Sequence, residues 1–200
     1  MGRLISKPTT DGKTPLDDYA GLRMDIRTRD ELNVLEFANI NKATVKYLTR
    51  CPSKKKAPFT YEWFLKIHRE MFGDVWEWAG QLRQIDLNIG IDKLKIPEAL
   101  KSLERDYEHW SVAMPSGEIA ARLHHRLVLI HPFKNGNGRW ARLITNIYLK
   151  QNRLPLIEWP DQALLAQTDI RQRYLAALRQ ADQRNLQPLM ELHGELQHVS

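Results

Sequence analysis

Apolar residues recur along most of the chain in helical stripes, separated by short polar breaks. Leu32, Leu35, Phe37, Ile40, Ala43, Tyr47 and Leu48 follow near-helical spacing. Thr28 and Glu31 ahead of them form a Thr-x-x-Glu capping box, so a helix is predicted from about 28 to 49. Pro52 and the run Ser53-Lys54-Lys55-Lys56 end it in a solvated loop. Thr60 predicts the start of a second helix, with Trp63, Phe64, Ile67 and Met71 on one face and Gly73 at its end. Pro97 suits a first helical turn, and Leu100, Leu103, Tyr107 and Trp110 mark a third helix. After the break Pro115-Ser116-Gly117, a fourth stripe runs through Ile119, Ala120, Leu123, Leu127 and Ile130. His131-Pro132 stops it, because a residue before proline is pushed out of helical geometry. Trp140, Ala141, Ile144, Ile147 and Tyr148 mark a fifth helix, and later stripes pass through Ile170, Tyr174, Ala177 and Leu178, then Leu186, Leu189 and Met190.

One stretch has a different period. Leu82, Ile85, Leu87 and Ile89 fall near alternate positions, then Gly90-Ile91-Asp92 leads into Lys93-Leu94-Lys95-Ile96. Two short alternating runs around a glycine turn predict a β-hairpin. Residues 1–27, with Pro8, Gly12, Pro15 and Gly21, read as an irregular arm before a helical domain over 28–198. The fold class expected is all-α with one small hairpin.

Composition narrows the setting. A chain of 200 residues, 42% hydrophobic and 27% charged, suits one globular domain with its own core. The single cysteine, Cys51, excludes an intrachain disulfide and a multi-cysteine metal cluster. No apolar run approaches a membrane span, and the N-terminus lacks the apolar stretch of a leader, so a cytoplasmic protein without membrane contact is expected. A net charge of +6 points to an anionic ligand without choosing it. His124 and His125 are adjacent and diverge on a helix, so they read as packing or supporting residues rather than a metal site.

The chemistry concentrates in Ile130-His131-Pro132-Phe133-Lys134-Asn135-Gly136-Asn137-Gly138-Arg139-Trp140-Ala141-Arg142. A helix ends, a Gly/Asn turn follows and a second helix begins. Backbone N–H groups in such a turn can converge on an anion, and the following helix N-terminus adds unsatisfied donors. Arg139 and Arg142 share one helical face, and their guanidinium forks match phosphate oxygens. His131 stands at the lip of this loop, able to exchange a proton near neutrality. The pattern implies a polyphosphate ligand beside a general base.

This segment resembles the Fic-family signature HxFx(D/E)GNGRxxR. FGDVWEWAGQLR resembles the aromatic WAG-x-x-R segment before that family's flap, and RYLAALRQAD resembles a later Tyr-x-x-Ala-Leu helix. TPLD, TRDELN, LNIGID and RLHHRLVLIHPF are similar to the subgroup called mobile mystery protein B. The resemblance implies a Fic-type helical bundle with its core at about 58–182 and a hairpin flap at about 83–96. It implies a protein adenylyltransferase that moves AMP from ATP to a Ser, Thr or Tyr of a target protein. His131 would be the general base. Gly136, Asn137 and Gly138 would cradle the phosphates, and Arg139 and Arg142 would hold the polyphosphate tail. Leu87, Asn88, Ile89 and Gly90 of the flap would clamp the target segment. It also implies a toxin-like module of a mobile element, with a separate antitoxin or helix-turn-helix partner.

Two departures stand out. The acidic Mg2+ ligand of the signature is Asn135 here, a neutral and weaker donor. That leaves open a metal held mainly by the nucleotide, a slow enzyme or one with another phosphate-bearing donor, and a regulator that binds nucleotide without turning it over. The inhibitory pattern (S/T)xxxE(G/N) is missing, so Glu36 reads as a surface glutamate, with a degenerate reach toward Arg142 as the alternative. Direct nucleic-acid binding is disfavoured, since no recognition helix or stacking platform accompanies the charge.

Overall fold

A computed structural model describes residues 20–24, 26 and 28–197. Most of the arm expected over 1–27 therefore lies outside the described residues. Among those described, the chain forms eight α-helices: α1 (Arg29–Leu48), α2 (Tyr61–Phe72), α3 (Ile96–Ala113), α4 (Ser116–Ile130), α5 (Asn137–Gln151), α6 (Asp161–Leu165), α7 (Asp169–Asp182) and α8 (Gln187–Glu195). The local signals behave as chemistry dictates. The Thr28 hydroxyl accepts from Glu31 N–H while the Glu31 carboxylate accepts from Thr28 N–H, which completes the capping box of α1. Thr60 caps α2 by accepting from Trp63 N–H.

α4 and α5 pack against each other at the centre, α1 lies on α2, α3 on α4, and α7 with α8 closes the far side. Phe64, Ile67, Met71 and Phe72 of α2 meet Trp140, Ile144 and Ile147 of α5 in a fully buried layer. Trp63 and Trp76 belong to that core, whereas Trp78 and Trp110 are only half-buried. A second cluster joins Ala121 of α4 to Tyr174, Leu178 and Leu189. No helix is long and apolar enough to cross a membrane among the described residues.

The predicted hairpin is corrected. Residues 83–92 form a bent loop, followed by a short 3₁₀ turn, Lys93–Lys95, and no named strand occurs there. The backbone acceptors that a hairpin ladder would use are taken by a side chain instead. Arg83 donates from Nη1 to Ile85 O at 2.8 Å and from Nη2 to Ile91 O. The alternation of Leu87 and Ile89 reflects a half-buried edge of the loop; Asn88 is exposed, and Gly90, though exposed, lies against His131.

Candidate active site

α4 ends at His131, whose backbone is left-handed with φ 51° and ψ 58°. For a residue with a side chain that geometry costs about 1–2 kcal/mol, so something must hold it. Arg83 does: its Nε donates to His131 O at 2.8 Å, and its N–H donates to Pro132 O at 2.9 Å. The His131 ring is buried, 7% exposed, and Nδ1 lies 3.3 Å from Val128 O. A carbonyl only accepts, so Nδ1 carries the proton and Nε2 keeps its lone pair. Burial, with a smaller contribution from the Arg83 charge, pushes the imidazole down to about 4. His131 is thus a neutral base at physiological pH, already in the tautomer that proton abstraction requires.

Beyond His131 the chain is locked from inside. Phe133 is fully buried, stacked 3.6 Å from the His68 ring and edge-on to Trp140 at 5.0 Å. The Asn137 side chain closes the turn: Oδ1 accepts from Phe133 N–H at 2.9 Å and Nδ2 donates to Phe133 O at 2.8 Å. Gly136 has φ 79°, and a Cβ there would stand 2.5 Å from the Phe72 ring, so only glycine fits. Gly136 also serves as N-cap of α5 without any capping side chain. The first N–H groups of α5, from Asn137, Gly138 and Arg139, therefore precede the first backbone bond of the helix, Trp140 N–H to Gly136 O. Such a terminus binds anions through backbone donors and the helix dipole.

The arginines that flank this terminus are both held by carboxylates. Arg139 Nη1 lies 2.6 Å from Glu36 Oε2, and its guanidinium sits 4.9 Å above the Phe72 ring. Arg142 donates from Nε and Nη2 to Asp161 Oδ1 at 3.0 and 2.6 Å. Glu36 is not the surface residue expected. It is 4% exposed and accepts a second bond, from Trp76 Nε1 at 2.7 Å. Its partner is Arg139, not Arg142.

Asn135, expected as a metal ligand, turns its Oδ1 to Gly136 N–H at 2.6 Å. No group of three His, Cys, Asp or Glu suited to a metal occurs among the described residues. The donor set thus does not fit a protein-held Mg2+, which favours several oxygen ligands and negative charge. His124 bonds instead with His193 at 3.0 Å and Tyr174 at 3.1 Å, and His125 with Asp182 at 2.7 Å.

Sequence reading missed His68. Its Nδ1 accepts from Gly80 N–H and its Nε2 donates to Asn135 O, each at 3.0 Å. Burial pushes it down to about 3, so it stays neutral and ties the tryptophan-rich turn to the glycine loop. The signal was present: His68 follows Phe64 by one helical turn on the core face of α2.

One helical bundle thus brings together an uncapped helix N-terminus, two carboxylate-held arginines and a buried neutral histidine. The chain belongs to the Fic/DOC family, whose family model matches residues 58–149. It is 31% identical over 145 residues to "Protein adenylyltransferase fic-1" of Caenorhabditis briggsae, an alignment covering 69% of this chain and 27% of that protein. The chain thus spans about a quarter of the length of the curated relatives it matches. Its fold is similar to a Fic domain containing signaling protein from Bacteroides thetaiotaomicron, with TM-score 0.69, 20% identity and coverage of 86% and 71% of the two chains. It also resembles the BepC protein of Bartonella tribocorum, solved with bound AMPPNP, with TM-score 0.65, 21% identity and coverage of 88% and 90%.

Proposed function

We propose that this protein is an adenylyltransferase that moves AMP from ATP to a Ser, Thr or Tyr hydroxyl of a target protein. The observation that carries the reading is the neutral His131, with Nε2 unprotonated, at the lip of the uncapped α5 N-terminus. The similarity to adenylyltransferases over 69% of the chain supports it.

The triphosphate docks on the N–H groups of Asn137 and Gly138, while Gly136, whose own N–H is held by Asn135 Oδ1, gives the cradle its turn. Arg139 and Arg142 swing from Glu36 and Asp161 to the phosphate oxygens. The Asn137 side chain is committed to Phe133, so its share in binding is backbone only. The incoming hydroxyl loses its proton to His131 Nε2 as its oxygen bonds to the α-phosphorus. The α–β bridging P–O bond breaks and pyrophosphate leaves. Positioning and charge neutralisation supply most of the acceleration in such a transfer. Leu87, Asn88, Ile89 and Gly90 present the loop beside His131 to the target, as a backbone edge rather than a preformed strand. Any Mg2+ would be held by the nucleotide's own phosphates, because the one amide oxygen of Asn135 is taken by Gly136 N–H. Glu36 is the intrachain restraint on Arg139, and a separate antitoxin or helix-turn-helix protein from the same mobile element is the partner. The setting is cytoplasmic.

The test is incubation with labelled ATP, Mg2+ and cell lysate. Wild-type protein should label a protein, and His131→Ala should lower labelling by on the order of 10²–10⁴. Persistent label in that variant removes His131 from the mechanism. A second reading, a nucleotide-binding regulator without turnover, is favoured by the two carboxylate-held arginines and by Asn135. ATP binding by calorimetry without transfer would select it.

A further inference from the structure

Arg83 does more than close a loop. Its side chain is buried, yet its nearest carboxylate, Asp86, stands 3.5 Å away and is exposed. Its guanidinium bonds are to backbone carbonyls drawn from two places. Nε holds His131 O, while Nη1 and Nη2 hold Ile85 O and Ile91 O at the two ends of the loop. One planar cation thus fixes the reacting histidine and the loop over it as a single unit. Gly90 shows how closely they fit. It adopts φ 93°, and a Cβ there would stand 2.5 Å from His131 Cβ and 3.1 Å from Arg83 Nη2. The loop therefore rests on His131 Cβ and the Ile130 carbonyl, and its place beside the imidazole follows from where Arg83 pins its ends.

We propose that Arg83 is a positioning residue for the transfer step: it couples the 85–91 loop to His131, so that a target segment lying on the loop has its hydroxyl at the imidazole. This rests on the adenylyltransferase reading and adds a residue to it. Arg83 has no bond to the Gly136–Gly138 turn or to Arg139 and Arg142, so its part is in placing the hydroxyl and not in holding the nucleotide. Lysine cannot replace it, because a single ammonium cannot reach three carbonyls in one plane.

The variant to make is Arg83→Lys, compared with wild type in four measurements: ATP affinity by calorimetry, initial labelling rate with labelled ATP, titration of the His131 ring by NMR, and amide exchange over 85–91. We expect ATP affinity within about threefold of wild type and labelling slower by on the order of 10²-fold, the scale of a misplaced reacting group. Exchange over 85–91 should quicken. The His131 midpoint should rise from about 4, since burial is the main cause of its low value and a loosened loop lets water reach the ring, while lysine keeps the charge. Labelling that falls only in step with ATP affinity, or does not fall, overturns the proposal. Should wild-type protein label nothing, the adenylyltransferase reading fails by itself. The coupling is then decided by the last two readouts, sustained by faster exchange with a raised midpoint and overturned when both are unchanged. Should Arg83→Lys not fold, Gly90→Ala perturbs the same contact from the loop side. Slower labelling with retained ATP affinity is expected of it, and an unchanged labelling rate overturns the coupling.

Discussion

Asn137 shows how the side chain of a residue in a proposed ligand loop can act through structure alone. Both polar atoms of its side chain are spent on the Phe133 backbone, in a site that water does not reach. Asn137→Ala leaves Phe133 N–H and O unpaired in the interior. Each such loss costs about 1–3 kcal/mol. We expect a loss of about 2–4 kcal/mol in urea unfolding, with ATP binding weakened because the turn no longer holds its shape. The role of Asn137 could not be read from composition, since a glycine-flanked asparagine equally suits direct contact with phosphate. The sequence did place His131 at the lip of a glycine-rich turn, and of its two glycines Gly136 takes the left-handed backbone.

Among elements, α1 follows the sequence reading in its bounds but not at Glu36. Its capping box was legible and it forms over Arg29–Leu48, but Phe37 of the predicted apolar stripe is exposed. Glu36 was not legible. It sits on the inward face beside Leu32, Asn39 and Ala43, but helical spacing alone cannot tell a buried carboxylate from one at the stripe's margin. What decides is a guanidinium 103 positions away in sequence. Glu36→Gln keeps an oxygen for Trp76 Nε1 and removes the charge that holds Arg139. Nucleotide affinity should then rise by about tenfold, equivalent to about 1.4 kcal/mol, as calorimetry with ATP would measure. Unchanged affinity would mean that the ion pair does not compete with phosphate. The hairpin failed as a prediction for a related reason. Alternation in Leu82–Ile89 records which side chains face inward, while the strand ladder was pre-empted by Arg83, a residue the motif contained but whose reach it could not reveal.

At the scale of the whole molecule, buried neutral histidines govern the response to acid. His68 is pushed down to about 3, His131 and His193 to about 4, and His124 well below its ordinary 6.5, in each case mainly by burial. These side chains are neutral in the fold, and each takes up a proton on unfolding once the pH falls below about 6.5. The unfolded chain then binds more protons than the folded one, so stability drops as pH falls from about 6.5 to about 4, by up to about 1.4 kcal/mol per pH unit for each histidine. Urea midpoints should be level from pH 7 to 8 and decline steeply toward pH 5. A flat profile across that window would show that these rings are hydrated. The all-helical plan that buries them was legible from periodicity, but the pairing of His124 with His193 joins α4 to α8, and no local pattern connects those helices.

The carboxylate on Arg139 belongs to a helix that ends ten positions before the residues matched by the family model, Leu48 against residue 58. The proposed throttle and the proposed reaction loop therefore stand in separate tracts of the polypeptide. If Glu36 restrains Arg139 as proposed, rewriting one early helix retunes that restraint while the residues downstream stay as they are.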